Sequence, residues 1–189
     1  MKYYDVFGES GFHSAFMTTY AFSAQAFEDV PFPKLRGTGC RNIAILADKA
    51  MLNMSFAEYG APRYAGALYH LAKVSVGGAF HPKMTLLVGP EKGRLLIGSA
   101  NLTALGLAGN KELVADVRYS ATDKDNAALF GEALNYLRSY VPTEDPWFGD
   151  ALNRAFRYSP WLREAANSHS RRRLGLAESS LAIDEAFGR

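Results

Sequence analysis

Two short apolar runs near the amino terminus constrain the fold more than any other feature of this sequence. Residues 15–22 (AFMTTYAF) are rich in β-branched and aromatic side chains, and residues 41–48 (RNIAILAD) form an almost continuous apolar run. Runs of this length and composition predict buried strands. Between them, residues 24–35 mix apolar and acidic side chains around Pro31 and Pro33, which predicts a short helix that ends before the prolines. The chain therefore begins by alternating strand and helix.

The middle of the chain adds further strands. Four segments combine apolar and β-branched side chains in the way that strands do: 69–76, 80–88, 94–99 and 112–119. The second and third of these are joined by the pentapeptide GPEKG at residues 89–93. Its Gly and Pro content predicts a tight antiparallel connection.

Helical patterns occupy residues 49–59 and two segments of the carboxyl-terminal third. Thr122 is placed to cap a helix whose apolar residues recur at helical spacing over several turns. Asp145 before Pro146 marks a second helix start, and its apolar pattern continues until Pro160. We expect these two helices to cover the sheet.

These patterns predict one α/β domain over residues 1–166, with a mixed sheet of about six to eight strands flanked by helices. A length of 189 residues, with 48% hydrophobic and 21% charged residues, suits a single domain with a full core. Residues 167–189 begin polar and basic and end in a short amphipathic piece. We interpret them as a carboxyl-terminal tail or linker.

Charge and cysteine content limit the classes of function only modestly. Twenty-one Lys and Arg residues against nineteen Asp and Glu residues give a net charge of +2, which neither requires nor excludes an anionic partner. The single cysteine, Cys40, cannot form an internal disulfide. The amino terminus lacks the pattern of a signal peptide, and every apolar stretch is shorter than a membrane span. We therefore predict a cytoplasmic protein that does not associate with membranes.

The candidate chemistry lies on the predicted hairpin. In a strand, residues two apart point to the same face, so His81 and Lys83 would project together, as would Ser99 and Asn101. Pairing of the two strands would gather an imidazole, an ammonium, a hydroxyl and a carboxamide around one small anion, and this set suits a phosphate. An imidazole with a pKa of about 6.5 is a competent nucleophile near neutral pH. Lys83 and Asn101 would stabilise the charge that builds in the transition state.

The wider pattern around these residues resembles the active-site signature of the phospholipase D superfamily. It reads His81-Pro-Lys83, Gly98-Ser-Ala-Asn101-Leu-Thr, Gly106-Leu and Asn110-Lys-Glu112. Residues 12–48 are similar to the amino-terminal part of phospholipase D-like domains in bacterial nucleases and in modules attached to helicases. The resemblance implies a two-step reaction in which one His attacks phosphorus while a second His protonates the leaving oxygen. Water then hydrolyses the intermediate.

The His-Pro-Lys pattern occurs once, so the resemblance implies a homodimer in which two copies of His81 complete one active site at the interface. One position departs from the family, which usually has an Asp five residues after the Lys, where this chain has Val88. An acid commonly orients a nucleophilic ring, and Glu112 matches an acidic position of many relatives, so we predict that Glu112 takes that role.

The remaining candidate residues have less specific signals. His13 and His70 lie in apolar, strand-like surroundings and are interpreted as satisfied core or edge histidines. Because no cluster of His, Asp or Glu at ligand spacing is visible, we predict neither a metal nor a cofactor. Arg171, Arg172 and Arg173 are candidate nucleic-acid contacts, although a short charge run is more often a solvated face.

Three functions remain open from the sequence. The favoured one is a metal-independent nuclease that cleaves DNA or RNA through a phosphohistidine on His81. The second is a phosphate-binding or nucleic-acid-binding, dimerising module of a larger defence, restriction or helicase-like system, motivated by the absent Asp. The third is a phospholipid phosphodiesterase, which the lack of an interfacial apolar helix disfavours. The sequence does not decide between DNA and RNA.

Overall fold

The computed structural model describes residues 2–141 and 145–168, and its centre is a mixed six-stranded sheet. The strands are β1 (Ser14–Thr19), β2 (Asn42–Asp48), β3 (His70–Val74), β4 (Met84–Val88), β5 (Lys92–Gly98) and β6 (Val114–Ser120). Their order across the sheet is β3-β2-β1-β4-β5-β6. The first three strands run parallel, β4 is antiparallel to β1, and the antiparallel pairing continues through β5 and β6. The predicted α/β class is confirmed.

Helices cover both faces of this sheet. They are α1 (Ala24–Asp29), α2 (Pro31–Gly37), α3 (Lys49–Tyr59), α4 (Ala127–Ser139), α5 (Pro146–Tyr158) and α6 (Pro160–Ser168). The first three pack with a 3-10 turn at Tyr3–Gly8 around one apolar core, and the last three pack around the other. Every residue of β1, β2 and β4 is buried, as expected for central strands covered on both faces.

Several helix boundaries differ from the predictions because proline and capping residues act differently in the folded chain. The predicted helix before the prolines is present as α1, which ends at Asp29, but Pro31 also begins a second helix, α2, since the first turn of a helix needs no N–H from that position. Thr122 does not cap α4, which begins after Asn126. Asp145 does cap α5, accepting hydrogen bonds from the two N–H groups that follow Pro146. Pro160 starts α6, a helix that the sequence analysis did not predict.

Strand direction brings separate chain segments to one end of the sheet. Strands β1 and β2 finish there at Thr19 and Asp48, and β5 finishes there at Gly98. Because β4 is antiparallel to its neighbours, it starts at this end with Met84, and β6 starts there with Val114 opposite Gly98. We call this the site end, and the other the opposite end.

Within residues 2–141 and 145–168, no helix has the length and apolar character needed to cross a bilayer.

Candidate active site

His81 and Lys83 lie immediately before β4, not within it. The predicted strand 80–88 is therefore too long at its start; Pro82 lacks the N–H that a central strand would need there. The two side chains are nevertheless together. The Lys83 ammonium lies 2.8 Å from His81 Nδ1 and 3.1 Å from Nε2, and it donates a hydrogen bond to the His81 carbonyl oxygen at 2.9 Å. The segment is tied to β5 by a 3.1 Å bond from the Gly98 N–H to the Lys83 carbonyl.

The residue before His81 is anchored by a buried acid that the sequence analysis missed. Asp48, at the end of β2, accepts hydrogen bonds from the Phe80 N–H at 2.9 Å and from the Met51 N–H in α3 at 3.0 Å. The Phe80 ring is buried and packs 5.2 Å from Tyr140. An acid placed between a buried strand and a helix is a recognisable capping signal. Its second bond, to the segment carrying His81, depends on tertiary structure.

The pKa values of the two titratable groups, His81 and Lys83, are both lowered. Although the His81 side chain is exposed, partial desolvation lowers its pKa, the Lys83 charge lowers it further, and the Asp48 carboxylate opposes both effects. Burial also lowers the pKa of Lys83 to about 8, with Glu112 acting in the other direction. The imidazole is therefore uncharged near neutral pH while the ammonium is still protonated, which is the combination that a nucleophile beside an anion-binding cation requires.

The side chain of Asn101 is held in place by its amide oxygen, Oδ1. Asn101 Oδ1 accepts a hydrogen bond from the Ala21 N–H at 3.1 Å, and the neighbouring Leu102 N–H donates to Thr19 Oγ1 at 3.0 Å. These bonds fix the segment after β5 against the end of β1. Because the oxygen is engaged, the amide NH₂ group is the part of Asn101 that can donate to a ligand.

Ser99 and Glu112 contact each other. The Ser99 hydroxyl donates a short hydrogen bond to Glu112 Oε2 and accepts one from the Leu113 N–H at 3.1 Å. Asn110 Nδ2 donates to Glu112 Oε1 at 3.2 Å. Within the described part of the chain, Glu112 forms no hydrogen bond with His81. Its predicted role of orienting a His81 ring thus stays a prediction, and would have to involve a partner copy.

Two glycines of the signature have a packing reason. A Cβ added at Gly98 would lie 2.2 Å from the Leu113 carbonyl oxygen, and one added at Gly106 would lie 2.3 Å from the Asn101 carbonyl oxygen. Both distances are far inside van der Waals contact. Glycine at these positions lets the segments carrying Ser99 and Asn101 pack directly against neighbouring backbone.

Val88, which occupies the position of the family's Asp, lies at the opposite end of the sheet. It is buried and pairs with Ser14 and Gly93. The length of β4 alone separates it from the segment carrying His81 by roughly 13 Å. An acid at this position would therefore not contact His81 of the same chain.

Tyr20, directly after β1, also belongs to this cluster and was not identified from the sequence. Its ring centroid lies 4.6 Å from that of His81, with 46° between the planes. The Lys83 ammonium lies 5.7 Å from the centre of the same ring. A tyrosine among many aromatic residues gives no signal of this kind in the sequence, because only the fold places it beside His81.

The other predicted residues lie away from the cluster or outside the described residues. His13 and His70 are satisfied, as predicted: His13 lies 2.7 Å from Ser14 Oγ and 2.8 Å from Ser159 Oγ, and His70 lies 2.6 Å from Asp145 Oδ2. In the part of the chain that the structure describes, no three His, Cys, Asp or Glu residues gather as metal ligands would. The candidate nucleic-acid contacts Arg171, Arg172 and Arg173 lie outside the described residues.

Comparison with known proteins finds similarity in structure. No protein-family model and no curated protein matches the sequence. The crystal structure of Nuc, a phospholipase D family member from Salmonella typhimurium, matches with a TM-score of 0.53 and 16% identity over 72% of this chain and 82% of that chain. Yeast tyrosyl-DNA phosphodiesterase matches with a TM-score of 0.43 and 14% identity over 60% of this chain and 27% of its own. NucT from Helicobacter pylori matches with a TM-score of 0.42 and 12% identity over 67% and 77%. The likeness to Nuc confirms, at the level of the fold, the resemblance to the phospholipase D superfamily.

Proposed function

We propose that this protein is a metal-independent phosphodiesterase of the phospholipase D type and that it cleaves DNA or RNA. The main support is the contact between His81 and Lys83 at the site end, where an uncharged imidazole lies beside a protonated ammonium. The segment after β5, which carries Asn101, lies at the same end of the sheet. These groups supply a nucleophile and two donors for phosphate oxygens, without a further component.

The proposed reaction has two steps. An unprotonated ring nitrogen of His81 attacks phosphorus, the bond to the leaving oxygen breaks, and that oxygen takes a proton and departs as a hydroxyl group. Water then attacks the phosphohistidine, the P–N bond breaks, and a phosphomonoester and free imidazole result. Lys83 and Asn101 hold the non-bridging oxygens while negative charge builds on them.

The proton for the leaving group is assigned to His81 of a second copy. In the described part of the chain, His81 is the only imidazole at the site end, since His13 and His70 are bound elsewhere. A twofold dimer that places two His81 rings on one phosphate would supply both the nucleophile and the acid.

A nucleic acid is the proposed substrate because the candidate site is open. His81 and Ser99 are both exposed at the surface of the sheet end. An exposed site can accept an internal phosphodiester of a polymer, and residues 12–48 resemble the corresponding part of bacterial nuclease domains.

The decisive experiment compares the wild-type chain with His81→Ala on labelled single- and double-stranded DNA and RNA in EDTA. Wild type should cleave at least one of these substrates and form an acid-labile phosphoryl-protein, whereas the variant should do neither. His70→Asn, which alters a histidine away from the site, is the matched control and should remain active. Cleavage by pure His81→Ala would refute the assigned nucleophile.

The dimer is tested with the same variant. Wild-type and His81→Ala chains are mixed in varying ratios and allowed to exchange. If each active site needs two His81 rings, activity falls with the square of the wild-type fraction; a linear fall would show that one chain suffices.

A second candidate function is a phosphate-binding, dimerising module without turnover. The contact of the Lys83 ammonium with both ring nitrogens of His81 favours it, because that contact covers the nucleophile. Oligonucleotide binding that depends on Lys83, with no cleavage of nucleic acid or of phosphatidylcholine vesicles by wild type, would establish this alternative.

A further inference from the structure

Tyr20 lies between the two segments that carry the candidate site: the one before β4, with His81 and Lys83, and the one after β5, with Ser99 and Asn101. Its ring lies on the His81 ring, at a centroid distance of 4.6 Å. The residues before and after it are bonded to the segment after β5: the Ala21 N–H donates to Asn101 Oδ1, and Thr19 Oγ1 accepts from the Leu102 N–H. The Tyr20 side chain therefore contacts the segment before β4, while the residues on both sides of it are bonded to the segment after β5.

The backbone around Tyr20 is held by further contacts. Thr19 Oγ1 donates to the Ala21 carbonyl oxygen at 2.6 Å, and Thr18 Oγ1 accepts from the Met84 N–H at 2.9 Å. Phe22 then forms a bridge with Leu102. With bonds on each side, the backbone that carries the Tyr20 ring has little freedom to move away from the segment of His81.

The His81 ring, by contrast, has few other restraints. The side chain is exposed, and within the described residues its ring has polar contacts with the Lys83 ammonium and a tilted ring contact with Tyr20. Lys83 must turn toward a bound phosphate if it is to neutralise that phosphate. Once it does, the ring contact with Tyr20 remains within the described residues to hold the imidazole in place.

We infer that Tyr20 is a positioning residue for His81: its ring keeps the imidazole aligned with Asn101 when Lys83 engages the substrate. The effect belongs to the aromatic face, because the Tyr20 hydroxyl has no hydrogen-bond partner within the described part of the chain. Misplacing a reacting group by about 1 Å can cost on the order of 100-fold in rate. The inference rests on the proposed function for its kinetic consequence, but its geometric consequence can be measured without turnover.

The test uses four variants of the full chain: Tyr20→Phe, Tyr20→Leu, Tyr20→Ala and Tyr158→Ala. Tyr158 is the matched control, because its exposed ring lies 5.6 Å from that of His13, which is not at the site end. NMR chemical shifts of the His81 ring protons report whether an aromatic ring lies next to the imidazole. An upfield ring-current shift should persist in Tyr20→Phe and Tyr158→Ala and vanish in Tyr20→Leu and Tyr20→Ala.

Steady-state kinetics measure the effect of these variants on catalysis. Tyr20→Leu and Tyr20→Ala should lose roughly 10- to 100-fold in kcat with little change in KM, while Tyr20→Phe and Tyr158→Ala keep wild-type values. Full activity of Tyr20→Leu would overturn the inference, since the ring would then only fill space. So would an equal loss in Tyr20→Phe, which would assign the effect to the hydroxyl. If His81→Ala stays active, the proposed function fails, and the NMR result still decides the contact.

Discussion

The two ends of the sheet contain buried cations in opposite electrostatic situations. At the opposite end, Arg94 is 3% exposed and binds Asp116 and Glu9, each at 2.7 Å; these contacts raise its pKa. At the site end, Lys83 is 8% exposed, and burial lowers its pKa to about 8. Within the described residues, no carboxylate lies within ion-pair distance of Lys83.

The difference separates a structural cation from one available for binding. Burying a charge is costly unless a partner compensates it. Arg94 has its partners within the chain, so its contribution is to the fold. Lys83 faces an imidazole and a carbonyl oxygen instead, so an anionic ligand would supply the missing compensation. The buried cation at the opposite end is thus paired with two acids, whereas the one at the site end has no acid within ion-pair distance among the described residues.

The largest expected effect is on catalysis by Lys83→Met. Removing a cation that stabilises developing charge should lower kcat/KM for a nucleic-acid substrate by roughly 100- to 1,000-fold. Thermal stability should stay the same or rise, because a desolvated charge is lost. Steady-state kinetics and a thermal melt check both parts; a large loss of stability would show that Lys83 is a structural cation like Arg94.

The second prediction concerns Arg94→Met, which removes the structural cation. Charged hydrogen bonds of this kind contribute about 2 kcal/mol, so the free energy of unfolding should fall by about that amount in urea denaturation. Activity per folded molecule should stay within about twofold of wild type, since the site end is untouched. Unchanged stability would contradict the assignment of Arg94 to the fold.

The smallest expected effect is on the pH profile of kcat/KM. Activity should rise as the attacking His81 loses its proton, at a pKa below the ordinary value of 6.5, and decline as the His81 that serves as the acid also loses its proton. A further alkaline limb should follow near pH 8, where Lys83 loses its proton. Glu112→Gln removes a charge that raises the Lys83 pKa, so the alkaline limb should move to lower pH. Lys83→Arg should abolish that limb, because a guanidinium stays charged. If neither variant moved the alkaline limb, the titration of Lys83 could not be its cause.

Local sequence patterns identified the elements whose signals are contained in short segments. The helix at 49–59 has the predicted bounds, and the strand predicted at 41–48 differs by one residue. Proline was harder to interpret, because the same residue either ends a helix or begins one. Pro31 and Pro160 do both here: each follows the end of one helix, as predicted, and begins another helix that was not predicted.

The sequence predicted those residues of the candidate site that belong to a local motif. It did not predict the residues that reach the site only through tertiary contacts. His81, Lys83, Ser99 and Asn101 follow from the signature, and the structure gathers them at one end of the sheet. Tyr20 and Asp48 were missed, because each contacts the His81 segment across a separation of tens of residues that no local pattern records.

By itself, the sequence determined the types of elements and the chemical groups near residues 81–101, since periodicity and residue type are local properties. Only the tertiary structure decided which strand ends meet, that Asp48 binds the segment before His81, and that Glu9 and Asp116 bind Arg94. It also decided that Lys83 has no acid within ion-pair distance among the described residues. Those outcomes depend on strand direction and desolvation, and both arise from contacts between segments that are distant in the chain.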